Sequence, residues 1–382
     1  MIECSKYKLS ECCLSISDGD HLPPPKVDAG IPFITISDID SSNRLNLDVK
    51  QFVPEEYYNN LKDIRKAQRN DILYSVVGSF GIPVIIKGND KFVFQRHIAI
   101  LRPDPTKVIP DYLFYIMKSY NFYMQADSVA IGAAQRTISL TALRNMTVEL
   151  PSMDVQKKIA TILSRYDSLI DNYQKQIKLL EEAAQRLYKE WFVNLRFPGH
   201  ESTKIVDGVP EGWEKKKLGS IAPILTGKKD ANYGILDGNY PFFTCSQEPI
   251  KAPSYSFDAE AVLLAGNGDF NVKLYRGRFE AYQRTYVLIP SNADLLYVLY
   301  NSVAKNMVKL ANGASGSTIK FLTKRMIENI DVLVPTNTIL NEYNSLRRKI
   351  QQDLENIKSQ LRLLTESRDR LLPKLLSGEI EV

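Results

Sequence analysis

The chain has 382 residues, 44% of them apolar and 24% charged, enough for two or three domains with real cores; this excludes a disordered protein. A formal net charge of +5 fits an anionic partner without requiring one. Cys4, Cys12, Cys13 and Cys245 form no CxxC pair and have no histidine at ligand spacing, so free cytosolic thiols are the default and no metal site is expected.

The N-terminal run MIECSKYKLSE lacks the charged-then-apolar pattern of a secretory signal. No window approaches the roughly 18–20 apolar residues that span a bilayer. A cytoplasmic protein is expected. Read in order, the chain then repeats itself. Residues 9–37 match 218–246 at an offset of 209, with PFIT at Pro32 falling on PFFT at Pro241. VVGSFGIPV around Gly78 matches LAGNGDFNV around Gly266 at an offset of 188. FVFQRHIAIL then falls on FEAYQRTYVLI, which sets Gln95-Arg96 over Gln283-Arg284. GAAQRTI from Gly132 matches GASGSTI from Gly313 at an offset of 181, pairing Thr137 with Thr318. VELP and VLVP close the halves at Pro151 and Pro335. Weak matches kept in one order point to a duplicated domain.

Both halves read as strand-rich, through ILYSVV, FVFQRHIAIL, AVLLAG and TYVLIP bounded by Gly, Pro, Asn and Asp. One helix interrupts each half, near residues 112–124 and 294–310. The first half carries about twenty extra residues between Ser37 and Asp71.

A long helix follows each repeat. The first places apolar or aromatic residues at Ile159, Ile162, Tyr166, Leu169, Tyr173, Ile177, Leu180, Ala184, Leu187 and Trp191. The second places them at Ile339, Tyr343, Leu346, Ile350, Leu354, Ile357, Leu361 and Leu364, continuing toward Leu371. Alternating threes and fours are a coiled-coil seam, with one stutter in each run near Tyr173 and Ile350. Aligning the stutters gives an offset of 177 against 184 at the closing prolines, so the second helix starts one heptad later. Asp154 with Lys158, Asp171 with Lys175 and Glu182 with Arg186 are acid-before-base pairs suited to an exposed face. Ser152 and Thr336 are placed as N-caps, and Pro373 with Gly378 as the end of the second helix. Some 38 helical residues span about 57 Å, and two such helices joined through a globular domain most easily pair antiparallel.

Motifs for chemistry are missing. Gly227-Lys228-Lys229 lacks the rest of a phosphate-binding loop, and no GxGxxG at a strand-to-helix turn, GxSxG or HExxH occurs. The Asn/Asp-Pro-Pro-aromatic loop of adenine methyltransferases is absent too; Pro23-Pro24-Pro25 follows a leucine and precedes a lysine. No catalytic residue and no cofactor are expected.

Four passages resemble one family, the DNA specificity subunits of type I restriction–modification systems. DGVPEGWEKKKLGSI at 207–221 is similar to the family's opening of a target-recognition domain, and YKLSE at Tyr7 looks like the other copy. ISLTALRNMTVELPSMDVQKKIATIL at 138–163 and LYKEWFVNLRFPG at 187–199 resemble the entry to and exit from the first spacer helix. LLPKLLSGEI at 371–380 resembles the family's C-terminus. The second helix entry, VPTNTILNEYNSL, departs from the pattern by lacking the stretch seen at Asp154–Lys157.

The resemblance implies an α/β (α+β) fold: two strand-rich target-recognition domains in tandem, each followed by a long helix, with the helices pairing as an antiparallel coiled coil. The expected divisions are 1–151, 152–195, 196–335 and 336–382. It also implies a non-catalytic subunit that reads a split site in double-stranded DNA. Such a subunit recruits two adenine-methyltransferase (modification) subunits, and translocase–nuclease (restriction) subunits can join. Two readers on stiff helices would take two different short sequences about one helical turn apart. The rival is a coiled-coil structural adaptor with two protein-binding domains.

Positions shared by both repeats are read as frame, with Arg96 and Arg284 able to hold phosphate. Base readers belong in the loops that differ, because Arg suits guanine's major-groove edge and Asn suits adenine's. The second half offers Lys228, Lys229, Asn232, Asn267, Asn271, Lys273, Arg276 and Arg278. The first offers Lys26, Arg44, Lys66, Arg69, Ser79, Gln135 and Arg136.

Overall fold

The computed structural model describes residues 4–21, 23–40, 42–133, 135–316 and 320–382; the expected pairing of Thr137 with Thr318 therefore falls outside them. The chain forms two compact units, one of Met1–Gln174 with Gln360–Val382, the other of Lys175–Ser359. Each unit thus holds one strand-rich domain and a portion of both long helices.

In the first unit an antiparallel sheet runs in the order Cys13–Asp18, Ile98–Pro103, Ile72–Ser75, Pro83–Ile85. Beside it lies a three-stranded sheet, Phe52–Val53, Ile31–Ile34, Val93–Phe94, whose last pair is parallel. In the second unit the counterpart is one six-stranded sheet: Ile224–Thr226, Thr285–Leu288, Phe257–Ala265, Val272–Ala281, Tyr240–Phe243, Ile250–Ala252. The ten-residue strand Val272–Ala281 unites it by pairing on both edges. The matching chain of the first unit is broken by the turn-forming Lys87-Gly88-Asn89-Asp90 into Pro83–Ile85 and Val93–Phe94, which divides the sheet. FVFQRHIAIL is likewise two strands, interrupted at residues 95–97.

A two-stranded ribbon closes each domain, Ser5–Lys8 on Thr147–Leu150 and Glu214–Lys217 on Asp331–Val334, in the same register. The single helix expected in the first half is two, Pro110–Lys118 and Tyr120–Val129, because Ser119 stands extended between them and caps the second through its Oγ. Its counterpart in the second half stays unbroken, Leu296–Asn312. The extra segment of the first half packs back on its domain: Arg65 pairs with Asp20 at 2.8 Å, and Tyr57 donates to Asp20 at 2.8 Å. Burial and that carboxylate push the Tyr57 phenol up to about 12.

The long helices are Met153–Tyr188 and Asn337–Ser377. Ser152 and Thr336 directly precede them, and their carbonyls accept the first helical bonds, from Gln156 at 3.0 Å and Leu340 at 2.9 Å. Pro373 does not end the second helix but lies inside it; the stop comes at Gly378, at φ +73°. The first helix ends in a wide turn, Lys189–Val193, which buries Trp191 and Phe192. Phe192 meets Tyr343 edge-on at 4.9 Å and Trp213 at 5.4 Å, a ring cluster that fixes the exit from the helix.

The seam differs from the heptad reading in places. Leu169 and Leu346 are exposed, while their neighbours Ile170 and Arg347 are buried. Near its domain each helix also packs against the globular core, as Ile159, Ala160 and Leu163 do, so its buried face is wider than a two-helix stripe. None of the three expected acid–base pairs is the one formed. Asp171 binds Arg44 at 2.6 Å, and Lys158 donates to the Val382 carbonyl at 3.1 Å. Exposed pairs along a helix are weak enough to yield to tertiary partners.

Asp71, only 2% exposed, receives both Nε and Nη2 of Arg102 at 3.0 and 2.9 Å. Removing the carboxylate leaves a largely buried guanidinium without its counter-charge. Asp71→Ala should therefore cost about 3 kcal/mol in urea denaturation; a loss below about 1 kcal/mol would mean the pair is screened as surface pairs are.

Candidate nucleic-acid interface

At one end of each domain, loops converge on a common hydrogen-bonded frame. In the first, Val76 donates to the His97 carbonyl at 2.9 Å, Ile138 donates to Val76 at 2.9 Å, and Ile131 with Thr137 exchange bonds at 3.0 and 2.8 Å. In the second, Gly266 donates to Arg284 at 2.8 Å, Leu322 to Gly266 at 2.8 Å, and Ser315 with Phe321 exchange bonds at 3.0 and 2.8 Å. The bridges Val77 to Thr137 and Asn267 to Phe321 complete the correspondence.

This frame corrects the sequence alignment. Gly78 corresponds to Gly268, not Gly266, and both are left-handed, at φ +70° and +68°. Gly132 corresponds to Gly316, not Gly313, at +106° and +105°. Thr137 corresponds to Phe321, and Arg136 to Lys320. Arg96 donates its backbone N–H to Asp20 at 3.1 Å as Gln283 does to Lys229 at 2.9 Å. Arg96 therefore corresponds to Gln283, and His97 to Arg284. The identical Gln-Arg dipeptides had pulled the alignment one residue out of register. Arg96 and Arg284 are both exposed and occupy different places in the frame, so they are not equivalent positions.

The first domain's end carries two adjoining concavities of about 330 and 280 Å³ that share Val77, His97 and Gln135. Thr35 and Ser37 line one and Arg96 the other. Gln135 and Ser79 are exposed here. Arg136 pairs with Asp127 at 2.5 Å and lies over the Phe80 ring at 5.2 Å, itself stacked on Tyr123 at 5.9 Å.

At the second domain's end, Asn267, Asn271 and Lys273 come together around residues 245–247. Cys245 donates to Asn267 at 2.8 Å, Asn271 donates to the Cys245 and Asp269 carbonyls at 2.9 and 2.7 Å, and Lys273 donates to Ser246 at 2.7 Å and to Asn271. Burial pushes the Lys273 ammonium pKa down. These side chains hold the loop in shape, which orients Gln247 and Arg284 beside them. Lys228 and Asn232 are exposed nearby, and Lys229 lies 4.4 Å over the Tyr233 ring.

The remaining candidates stand apart. Arg44 is bound to Asp171 and Gln174 of the first long helix, tying a loop to it. Lys66 and Arg69 precede the strand Ile72–Ser75 at the end opposite the convergent loops, and Lys66 is held by Asn59 and Asp63 at 3.1 and 3.5 Å. Lys26 is exposed beside the short strand Phe52–Val53. Arg276 and Arg278 are engaged across strands by Glu260 at 2.6 Å and Asp258 at 3.0 Å. Sequence reading missed His97, Gln247 and Lys320. Register within the frame marks His97 and Lys320, the loop held by Asn271 and Lys273 marks Gln247, and no local motif does.

The profile of the type I restriction modification DNA specificity domain matches residues 13–182 and again 210–364. The EcoDI specificity subunit of Escherichia coli is 35% identical over 178 residues, which cover 45% of this chain and 39% of that protein. The MjaIX specificity subunit of Methanocaldococcus jannaschii is 26% identical, covering 72% of this chain and 70% of the relative. The crystal structure of a type I restriction–modification S subunit from M. genitalium superposes with a TM-score of 0.66, at 17% identity over 98% of this chain and 96% of that one. With the family's domain present twice, over most of its length, the chain belongs to the type I restriction modification DNA specificity family.

Proposed function

We propose that each domain reads one short sequence in duplex DNA through its convergent loop end, so that the chain selects a split site. One observation carries this reading: the two ends share a hydrogen-bonded frame while the residues it displays differ. Arg96, Gln135, Ser79 and Arg136 are the readers proposed for the first half-site. Lys228, Lys229, Asn232, Gln247, Lys320 and Arg284 are those for the second, with Asn267, Asn271 and Lys273 shaping their loop. The adaptor alternative is not favoured by the two relatives described above, both named specificity subunits.

The chain itself is proposed to be non-catalytic, with methyl transfer by modification subunits and cleavage by restriction subunits. The functional division follows 1–151 and 196–335 as readers, with 152–195 and 336–382 as spacers. Two contacts favour antiparallel spacers: Asp167 pairs with Arg368 at 2.7 Å in one unit, and Glu181 with Lys358 at 2.8 Å in the other.

Binding to cognate duplex, in the presence of modification subunits, should weaken with salt by a slope of about 0.9 per phosphate contacted. An adaptor would bind the duplex no better than an unrelated protein does. Arg284→Ala should cost about 1–3 kcal/mol on cognate DNA and relax base preference in one half-site only. Uniform weakening on all sequences would return Arg284 to backbone positioning.

A further inference from the structure

Within the second unit, a cavity of about 430 Å³ lies between the globular domain and the segments of both long helices that belong to this unit. Arg347 of the second helix lines it and is 3% exposed. A buried guanidinium ordinarily has a carboxylate opposite it. Among the described residues Arg347 has none: its Nη1 donates to the neutral Gln351 amide at 3.1 Å, its plane lies 4.9 Å over the Tyr297 ring, and its Nε has no acceptor. The other charges on the wall cancel. Lys358 is paired with Glu181 at 2.8 Å, and the charge of Glu248 offsets that of Lys273, so Arg347 is the charge left over.

We propose that this cavity binds a small oxyanion of the phosphate class, free or carried by a small molecule, on the fork of Arg347. Nε is closed off, but the Nη1–Nη2 edge of the planar guanidinium keeps N–H donors beyond the one given to Gln351 and can match two phosphate oxygens, which a lysine at this position would not. The cavity wall includes Gln247, Pro249 and Lys273, part of the loop that shapes the second reading end. A bound anion would therefore brace that loop from behind, away from DNA.

The test uses the full chain, with inorganic phosphate in one arm and a nucleoside monophosphate in the other, against chloride at matched ionic strength. A ligand that binds only the native state raises the melting temperature, so a rise of several degrees is expected in at least one arm. Tighter binding in the second arm would identify a carried phosphate, and equal or weaker binding a free one. By titration calorimetry Arg347→Met, which keeps the bulk of the stem without the charge, should weaken binding at least tenfold. Two results would overturn the proposal: no rise over chloride in either arm with the unsubstituted chain, or unchanged affinity in Arg347→Met, which would indicate an adventitious ion only. Should Arg347→Met fail to fold, the melting shift of the unsubstituted chain still decides.

Discussion

Inserting four residues after Leu180 of the first long helix, with four more after Lys358 of the second, should move the preferred DNA site to one with a longer unread gap. Four residues add about 6 Å of helix and rotate it only slightly past one full turn. Glu181 faces Lys358 at 2.8 Å, so matched insertions at that level preserve the pairing on either side. DNA rises about 3.4 Å per base pair, so the preferred gap should grow by one or two base pairs with both half-sites unchanged. On the original gap, activity should fall more than tenfold, since even one misread base pair costs about 1–3 kcal/mol. A proline inserted after Leu180 should instead break the helix, at about 3 kcal/mol or more, and abolish selection of a split site at any gap. Methylation of a panel of duplexes differing only in gap length reads both results. An unchanged preferred gap in the four-residue variant would show that the helices do not set the distance.

Much of this architecture was legible because duplication and periodicity are long-range signals that tolerate local error. The duplicated domain, the runs that close each half at Pro151 and Pro335 and both long helices follow from patterns sustained over many residues. What sequence could not resolve was register at single-residue precision. Gln95-Arg96 and Gln283-Arg284 are identical dipeptides, yet the backbone bonds of His97 and Arg284 place them one residue apart in the common frame. A side-chain match is only one vote, whereas backbone hydrogen bonds fix which face of the loop a residue occupies. The same limit hid the exchange of Leu346 for Arg347 on the buried face of the second helix, where packing against the domain overrode the heptad. Charge was the least informative signal for the site. Arg44, Arg276 and Arg278 are candidates by residue type, and the fold sets each beside a carboxylate, Asp171, Glu260 and Asp258, that residue type alone does not reveal.

The separateness of the two readers is tested most directly by exchanging residues 214–334 for the same segment of another family member. Both ends of that segment lie on the ribbon Glu214–Lys217 with Asp331–Val334, so the exchange carries both ribbon strands together with the enclosed domain and leaves the long helices untouched. Sequencing of methylated sites in cells carrying the modification subunits should then reveal one new short sequence beside the original partner, at the original gap. Loss of every methylated site in a chimaera that still folds and still binds the modification subunits, or change in both half-sites at once, would contradict two independent readers on a common frame.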